Sequence, residues 1–248
     1  CPVDVFREEI VMTSRYGEVY ESWRKNPEGF WMDQAAAIDW FTKPETAFDP
    51  GLGVYGGWYP DGITNTCYNC LDRHVAGGRG EQAALIYDSP ITGAKRTISY
   101  AAMLSEVEAF AGALSDKGIG KGDRVVIYMP MVPEAIVAML ACARLGAVHS
   151  VVFGGFAASE LATRIEDSKA KLIVSASCGI EPGRIVAYKP LLDAAIELSH
   201  HKPEATIVLQ REQHGCELIE GRDFDYAELI EANAGRKVAC TPVKATDP

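Results

Sequence analysis

The chain lacks an excess of positive charge. Lys and Arg number 24 against 34 Asp and Glu, a formal net charge of −10. A balance of that sign argues against nucleic acid or an anionic membrane as a partner drawn by bulk electrostatics. Long apolar runs are missing too. The longest extends only from Ala135 to Ala143, well short of the about 20 residues that a spanning helix needs. The sequence does not open on a basic stretch followed by an apolar one, so no secretory signal is expected. Histidine is scarce, with 5 in all. The patterns HExxH, GxxxxGK[ST] and GxSxG do not occur, which removes the commonest zinc-protease, phosphate-loop and hydrolase-elbow readings.

What is present is ordinary globular material: 48% hydrophobic and 23% charged residues, enough for a sizeable core. The 7 cysteines are an odd number, and Cys142 among others sits in an apolar pattern. This points to a reducing, cytoplasmic-type compartment, or the mitochondrial matrix in a eukaryote. Cys67 and Cys70 have the spacing of half a zinc or redox site. No second CxxC and no HxxxH follows, so buried or half-buried thiols are expected there.

The apolar pattern divides the chain. Val5, Ile10, Tyr16, Val19, Tyr20 and Trp23 fall near one helical stripe, which Pro27 stops. Residues 28–40 read as a second short helix with Phe30, Trp31, Ala35 and Ile38 on its apolar side. Between Lys43 and Thr66, prolines and glycines alternate with Phe48, Tyr55, Trp58 and Tyr59. That composition predicts an ordered irregular segment wrapping a body.

From Ala83 onward strands and helices alternate. Short strands are expected at 83–87 and 96–98, with Gly93 at the turn between them. A helix follows, with Ser99 as its N-cap, Ile98 and Met103 as a hydrophobic staple, and Gly118 as its stop. Strands at 124–129, 147–152, 171–175 and 206–209 then alternate with helices at 133–145, 157–167 and 190–198. This predicts an α/β fold, a mainly parallel sheet with helices on both faces. The expected organisation is a helical and irregular N-terminal extension, 1–82, packed on an incomplete α/β subdomain, 83–248.

Ligand-binding candidates lie at strand ends, where open α/β sheets bind ligands. Phe153-Gly154-Gly155-Phe156 separates a strand from a helix. Glycine lets a ligand approach backbone there, and a helix N-terminus offers free N–H groups. A simple tight turn explains the same residues equally well. Cys178 to Arg184 follows the next strand, and Arg184 is either a phosphate fork or a surface arginine. Gly118 to Gly122 lies between helix and strand, the wrong order for a dinucleotide fingerprint, so a turn is expected. His149 is expected in the core, and His200-His201 at a solvated helix end. Asp72-Arg73-His74 reads as an orienting cluster at a helix end.

A longer stretch is more specific. Residues 122–156, from Gly-Asp-Arg-Val-Val-Ile-Tyr-Met-Pro to Val-Val-Phe-Gly-Gly-Phe, resemble the N-terminal region of the AMP-forming acyl-CoA synthetases, in the acetyl-CoA and propionyl-CoA synthetase branch. Residues 58–74, with Cys-Tyr-Asn-Cys-Leu-Asp-Arg-His, and residues 16–31 fit the same branch. The segment 178–192 looks closer to the propionate enzyme. The resemblance covers essentially the whole chain.

It implies an acid–thiol ligase that activates a short-chain carboxylate with ATP and Mg2+ through an acyl-adenylate and then transfers the acyl group to CoA. The implied partners are these small molecules and the remaining C-terminal part of the protein, not nucleic acid or membrane. The family's Ser/Thr/Gly-rich phosphate loop would come just after Pro248. This stretch alone is therefore expected to be inactive, to carry no catalytic or metal-binding residue, and to hold no tightly bound cofactor. The resemblance places Phe153, Gly154, Gly155 and Arg184 on the CoA side. Two departures stand out: Glu181 where the acetate enzyme has a second arginine, and Ala157 where the helix often begins with serine. The competing expectation is a non-catalytic CoA-binding or scaffold module that keeps the fold. A nucleotide-dependent oxidoreductase is disfavoured by the missing fingerprint.

Overall fold

The computed structural model describes residues 14–248. Val5 and Ile10, assigned above to the first helical stripe, lie outside them. Helices α1 (Tyr16–Lys25) and α2 (Pro27–Ala35) meet at Asn26, whose side chain accepts from the Gly29 amide at 3.1 Å. Pro27, lacking an N–H, fits the first turn of α2. The stripe on α1 does not face a core. Tyr16, Val19, Tyr20 and Trp23 are all exposed, and the Tyr20 ring stacks on Tyr16 and lies tilted against Trp23 instead. α2 also stops short of Trp40, which folds back so that its indole N–H donates to the Ala35 carbonyl at 2.9 Å.

The segment that follows is irregular but pinned. Strands β1 (Phe48–Asp49) and β2 (Gly57–Trp58) form a small antiparallel pair, and β3 (Ile63–Thr64) lies beyond it. Asp61 accepts from the Glu45 amide, and Trp58 meets Trp31 and Phe48. Tyr55 is the exception among the interleaved aromatics, at 92% exposure. The fully buried Asn65 donates to the carbonyls of Ala143 at 2.8 Å and Thr241 at 2.9 Å, tying this segment to the body. Two π-helical turns follow, Tyr68–Asp72 and Val75–Arg79.

The body begins with the antiparallel hairpin β4 (Ala83–Ser89) and β5 (Ala94–Ser99), which is separate from the main sheet. Ser99 caps α3 (Tyr100–Asp116) by accepting from the Ala102 amide, and Ile98 and Met103 are both buried. After them come β6 (Arg124–Met129), α4 (Pro133–Leu145), β7 (Val148–Phe153), α5 (Ala158–Ser168) and β8 (Leu172–Ala176). A second hairpin, β9 (Cys178–Glu181) and β10 (Arg184–Ala187), leads into α6 (Tyr188–Leu198). The chain continues through β11 (Ala205–Leu209), β12 (Asp223–Asp225), α7 (Tyr226–Ala232) and β13 (Val243–Lys244).

Five strands make the main sheet in the order β12-β11-β8-β6-β7, and every pairing is parallel. Helix α3 packs on α4 and α7, while α5 packs on α6, so helical layers flank both faces. Val125, Val126, Ile127, Tyr128, Ile173 and Val174 are fully buried between them, as near-continuous apolar runs in a parallel sheet require. Gly118 and Gly122 have positive φ, consistent with turns.

Two expectations change. His149 is exposed rather than buried, because it shares one face of the edge strand β7 with the exposed Val151 and Phe153. The segment after β8, to which no element was assigned before residue 190, forms a hairpin over 178–187, and α6 begins at Tyr188 rather than at 190. Near the end of the chain, β13 returns to pair with β3.

Candidate functional site

Parallel strands β7 and β8 lie on either side of β6, and their carboxyl ends open on the same edge of the sheet. The turn after β7 brings Phe153 to the surface, at 70% exposure, with the Phe156 ring 5.6 Å away. The two glycines between them do different work. Gly155 has φ +95°, a left-handed conformation that other residues rarely adopt. Gly154 is required for closeness: a Cβ there would lie 2.5 Å from the Tyr188 hydroxyl and 2.8 Å from the Met129 carbonyl oxygen. The Tyr128 hydroxyl donates to the Phe156 carbonyl at 2.9 Å and holds the far end of the turn. Ala157 is the N-cap of helix α5 and gives it no side-chain cap, as expected for alanine at that position.

The hairpin β9–β10 supplies the second wall. Gly183, with φ +79°, forms its turn and places Arg184 and Glu181 opposite each other. Arg184 Nε lies 2.6 Å from Glu181 Oε2, and both side chains are exposed. Glu181 holds the Arg184 proton more firmly than an isolated guanidinium would. The arginine therefore meets any ligand already paired. The Glu181 carboxylate also lies 3.8 Å from where a Cβ on Gly155 would sit. Phe153, Gly154, Gly155 and Arg184 thus share one local surface.

Tyr188 joins these two walls, and the sequence reading missed its part. A Cβ on Gly179 would fall 2.3 Å from the same Tyr188 hydroxyl. The side chain is wedged between the glycine turn and the hairpin, and its ring lies 5.0 Å from that of Tyr128. Burial, with Tyr128 alongside, pushes the Tyr188 phenol up to about 12. It stays neutral near pH 7 and acts as a spacer, not as an acid or base. The only sequence signal was a glycine in each of two strand-end segments preceding a tyrosine at a helix start.

Behind the wedge, Lys189 reaches Asp193 at 2.6 Å and the buried Asp223 at 3.0 Å, and Arg222 reaches Asp223 at 2.6 Å. This cluster fastens α6 to the edge strand β12. The other sequence candidates lie away from this surface. Asp72 pairs with Arg144, His74 meets Arg79 and Tyr100, and His201 is tied to Ala170 and Glu166. His200 is the solvated helix end expected of it. The strand-end surface offers an apolar ring pair, a compact backbone turn and one partly neutralised cation. Such a surface can line a ligand, and it presents no nucleophile with an adjacent base.

Two family models match the chain. The one described as AMP-binding enzyme covers residues 71–247, and the one described as acetyl-coenzyme A synthetase N-terminus covers residues 16–70. The rat acyl-CoA synthetase short-chain family member 3, mitochondrial, is 46% identical over 90% of this chain and 32% of its own length. An acetyl-coenzyme A synthetase of Xanthobacter autotrophicus is 42% identical over 100% of this chain and 38% of its own. Among solved structures, the acetoacetyl-CoA synthetase from Streptomyces lividans superposes with a TM-score of 0.78. It covers 92% of this chain and 34% of that one at 21% identity, a likeness of fold. The chain spans about a third of the length of these relatives. No helix among the described residues is long and apolar enough to cross a membrane. With its family model matched across residues 71–247, the chain belongs to the AMP-binding enzymes.

Proposed function

We propose that this chain forms the CoA-facing N-terminal part of an AMP-forming ligase that joins a short-chain carboxylate to CoA, with propionate favoured over acetate. The observation that carries the reading is the convergence of the 153–156 turn and the Arg184 hairpin at neighbouring strand ends, in a chain of this family. The propionate preference rests on the resemblance of residues 178–192 to the propionate enzyme.

ATP with Mg2+ would supply the activating group, turning a carboxylate that repels nucleophiles into a mixed anhydride, and CoA would supply the thiol. The residues here do no bond-making. Phe153 and Phe156 would cover an apolar stretch of CoA, the Gly154–Gly155 backbone would allow close approach, and Arg184 would meet a phosphate. Glu181 competes for that arginine, so phosphate binding must displace or share the 2.6 Å pair. The division at residues 82 and 83 is kept as part of this proposal, and the stretch 1–248 alone is proposed to be inactive.

The test is steady-state kinetics on the full-length protein with propionate, acetate, ATP and CoA. Arg184→Ala should raise the KM for CoA by roughly tenfold, the equivalent of about 1.4 kcal/mol, with little change in the KM for ATP. Glu181→Gln should lower the KM for CoA. An unchanged KM for CoA in both variants overturns the assignment of this surface. A full-length protein that forms no acyl-CoA leaves the binding-module reading in its place. Pyrophosphate release from ATP and propionate by residues 1–248 alone would refute the proposed inactivity.

A further inference from the structure

Where the N-terminal segment meets the end of the chain, Arg144 reaches from the last turn of α4 into a buried polar knot. Its guanidinium donates to both carboxylate oxygens of Asp72 at 2.9 Å, to Glu108 at 3.3 Å and to the Cys67 sulfur at 3.5 Å. The Cys240 thiol donates to Asp72 Oδ2 at 3.7 Å. The two sulfurs and an Asp72 oxygen all lie within 4.8 Å of one another. Cys67 is fully buried, and Cys240 is half-buried. None of these groups belongs to the strand-end surface described above.

The knot distinguishes its two thiols. A hydrogen bond from Cys240, reinforced by Arg144, holds Cys67 below the ordinary thiol range against the opposing effect of burial. The same hydrogen bond, together with burial, pushes Cys240 up. One sulfur lies beside a cation that favours its thiolate form, the usual arrangement of a reactive cysteine, while its neighbour keeps the one proton that Cys67 and Asp72 both face. Cys142, Cys70 and Cys216 lack this setting: burial pushes Cys142 up to about 12 and also raises Cys70 and Cys216. A metal ion suits the knot poorly. Arg144 already supplies the positive charge and occupies both oxygens of Asp72.

We propose that Cys67 and Cys240 are a redox site at which hydrogen peroxide forms a disulfide, joining the N-terminal segment to the end of the chain. The Cys67 thiolate attacks a peroxide oxygen. An S–O bond forms, the O–O bond breaks, and the departing oxygen leaves as water after taking a proton. The Cys240 sulfur then attacks the Cys67 sulfenic acid while Asp72 accepts the Cys240 proton and passes it to the departing hydroxide. The S–S bond forms, the S–O bond breaks, and a second water leaves. Two thiols lose two electrons in all, and one hydrogen peroxide gains them. Arg144 favours the first step by stabilising the thiolate, and Asp72 favours the second. The bond would close a loop that contains the entire five-stranded sheet.

The test is peptide mapping of the full-length protein, first reduced, then exposed to hydrogen peroxide and alkylated. The expected product is a Cys67–Cys240 linked peptide that a dithiol separates again. In Cys240→Ser, the expected product is Cys67 sulfenic acid trapped by dimedone, with the linked peptide lost. A Cys67–Cys70 link overturns the proposal. So does oxidation confined to Cys70 and Cys216 with Cys67 still reduced, or one equivalent of zinc that shields both Cys67 and Cys240. The wild-type map decides the matter without any variant, so a variant that fails to fold does not obscure it. The readout is also independent of ligase activity, so it stands or falls apart from the function proposed above.

Discussion

The body and the N-terminal segment of this chain are held together by different physics. In the body, β6 and β8 are lined by fully buried aliphatic side chains between two helical layers, and burial of apolar surface dominates. In the segment from Tyr16 to Thr66, large aromatics remain at the surface, and position is fixed by individual polar contacts. Asn65, Asp61 and the indole of Trp40 each make specific bonds to backbone. An amphipathic pattern says that a face is apolar, not what covers it. On α3 and α4 the pattern found a core, whereas on α1 it found solvent and neighbouring rings.

The comparison can be broken most sharply in the body. Phe110 is fully buried in α3 against Tyr226. Phe110→Ala should destabilise the protein by roughly 3–5 kcal/mol in a denaturant titration. A smaller loss is expected in the polar-pinned segment. Asn65→Ala removes the donor to three backbone carbonyls and the acceptor of the Tyr68 amide, and should cost about 1–3 kcal/mol, with early loss of amide protection across 62–69.

Acid provides a third test. Burial alone would raise the Asp223 carboxyl, but hydrogen bonds from Arg222, Thr206, the Ile219 amide and Lys189 together hold it well below the usual carboxylate range. A depressed folded-state value contributes stability above the unfolded value, near 3.9, and that stability is lost as pH falls below it. Asp223→Asn should therefore flatten the acid limb of the stability profile between about pH 5 and pH 2. A limb of unchanged slope would remove this cluster from the account. The smallest effect is expected at Trp23, on the exposed face of α1. Trp23→Ala should shift stability by no more than about 0.5 kcal/mol, and a larger loss would show that this face has a partner in the described fold.

The alternation of strand and helix was legible from Ala83 to Leu209 because apolar runs, Pro133 and Gly146 are local signals. Those residues carry their meaning without knowledge of distant neighbours. The β9–β10 hairpin was not legible. Its strands are only Cys178–Glu181 and Arg184–Ala187, and Pro182-Gly183 dominates the pattern. His149 was misplaced because the order of strands, and hence which strand lies at the edge, is a tertiary property. At the candidate site, the glycine turn could be read, yet the reason for Gly154 could not. That reason is Tyr188, brought to it by the fold from a later helix. The Glu181–Arg184 pair was out of reach for the same reason, since the two charges face each other only once the hairpin has formed.

The pairing of β13 with β3 bears on how the molecule is made. A ribosome delivers residues 63–64 long before residues 243–244, and Asn65 likewise waits for the Thr241 carbonyl. The first part of the chain to be synthesised is therefore among the last to be completed, and the sheet must be laid down while its wrapping is still unfastened.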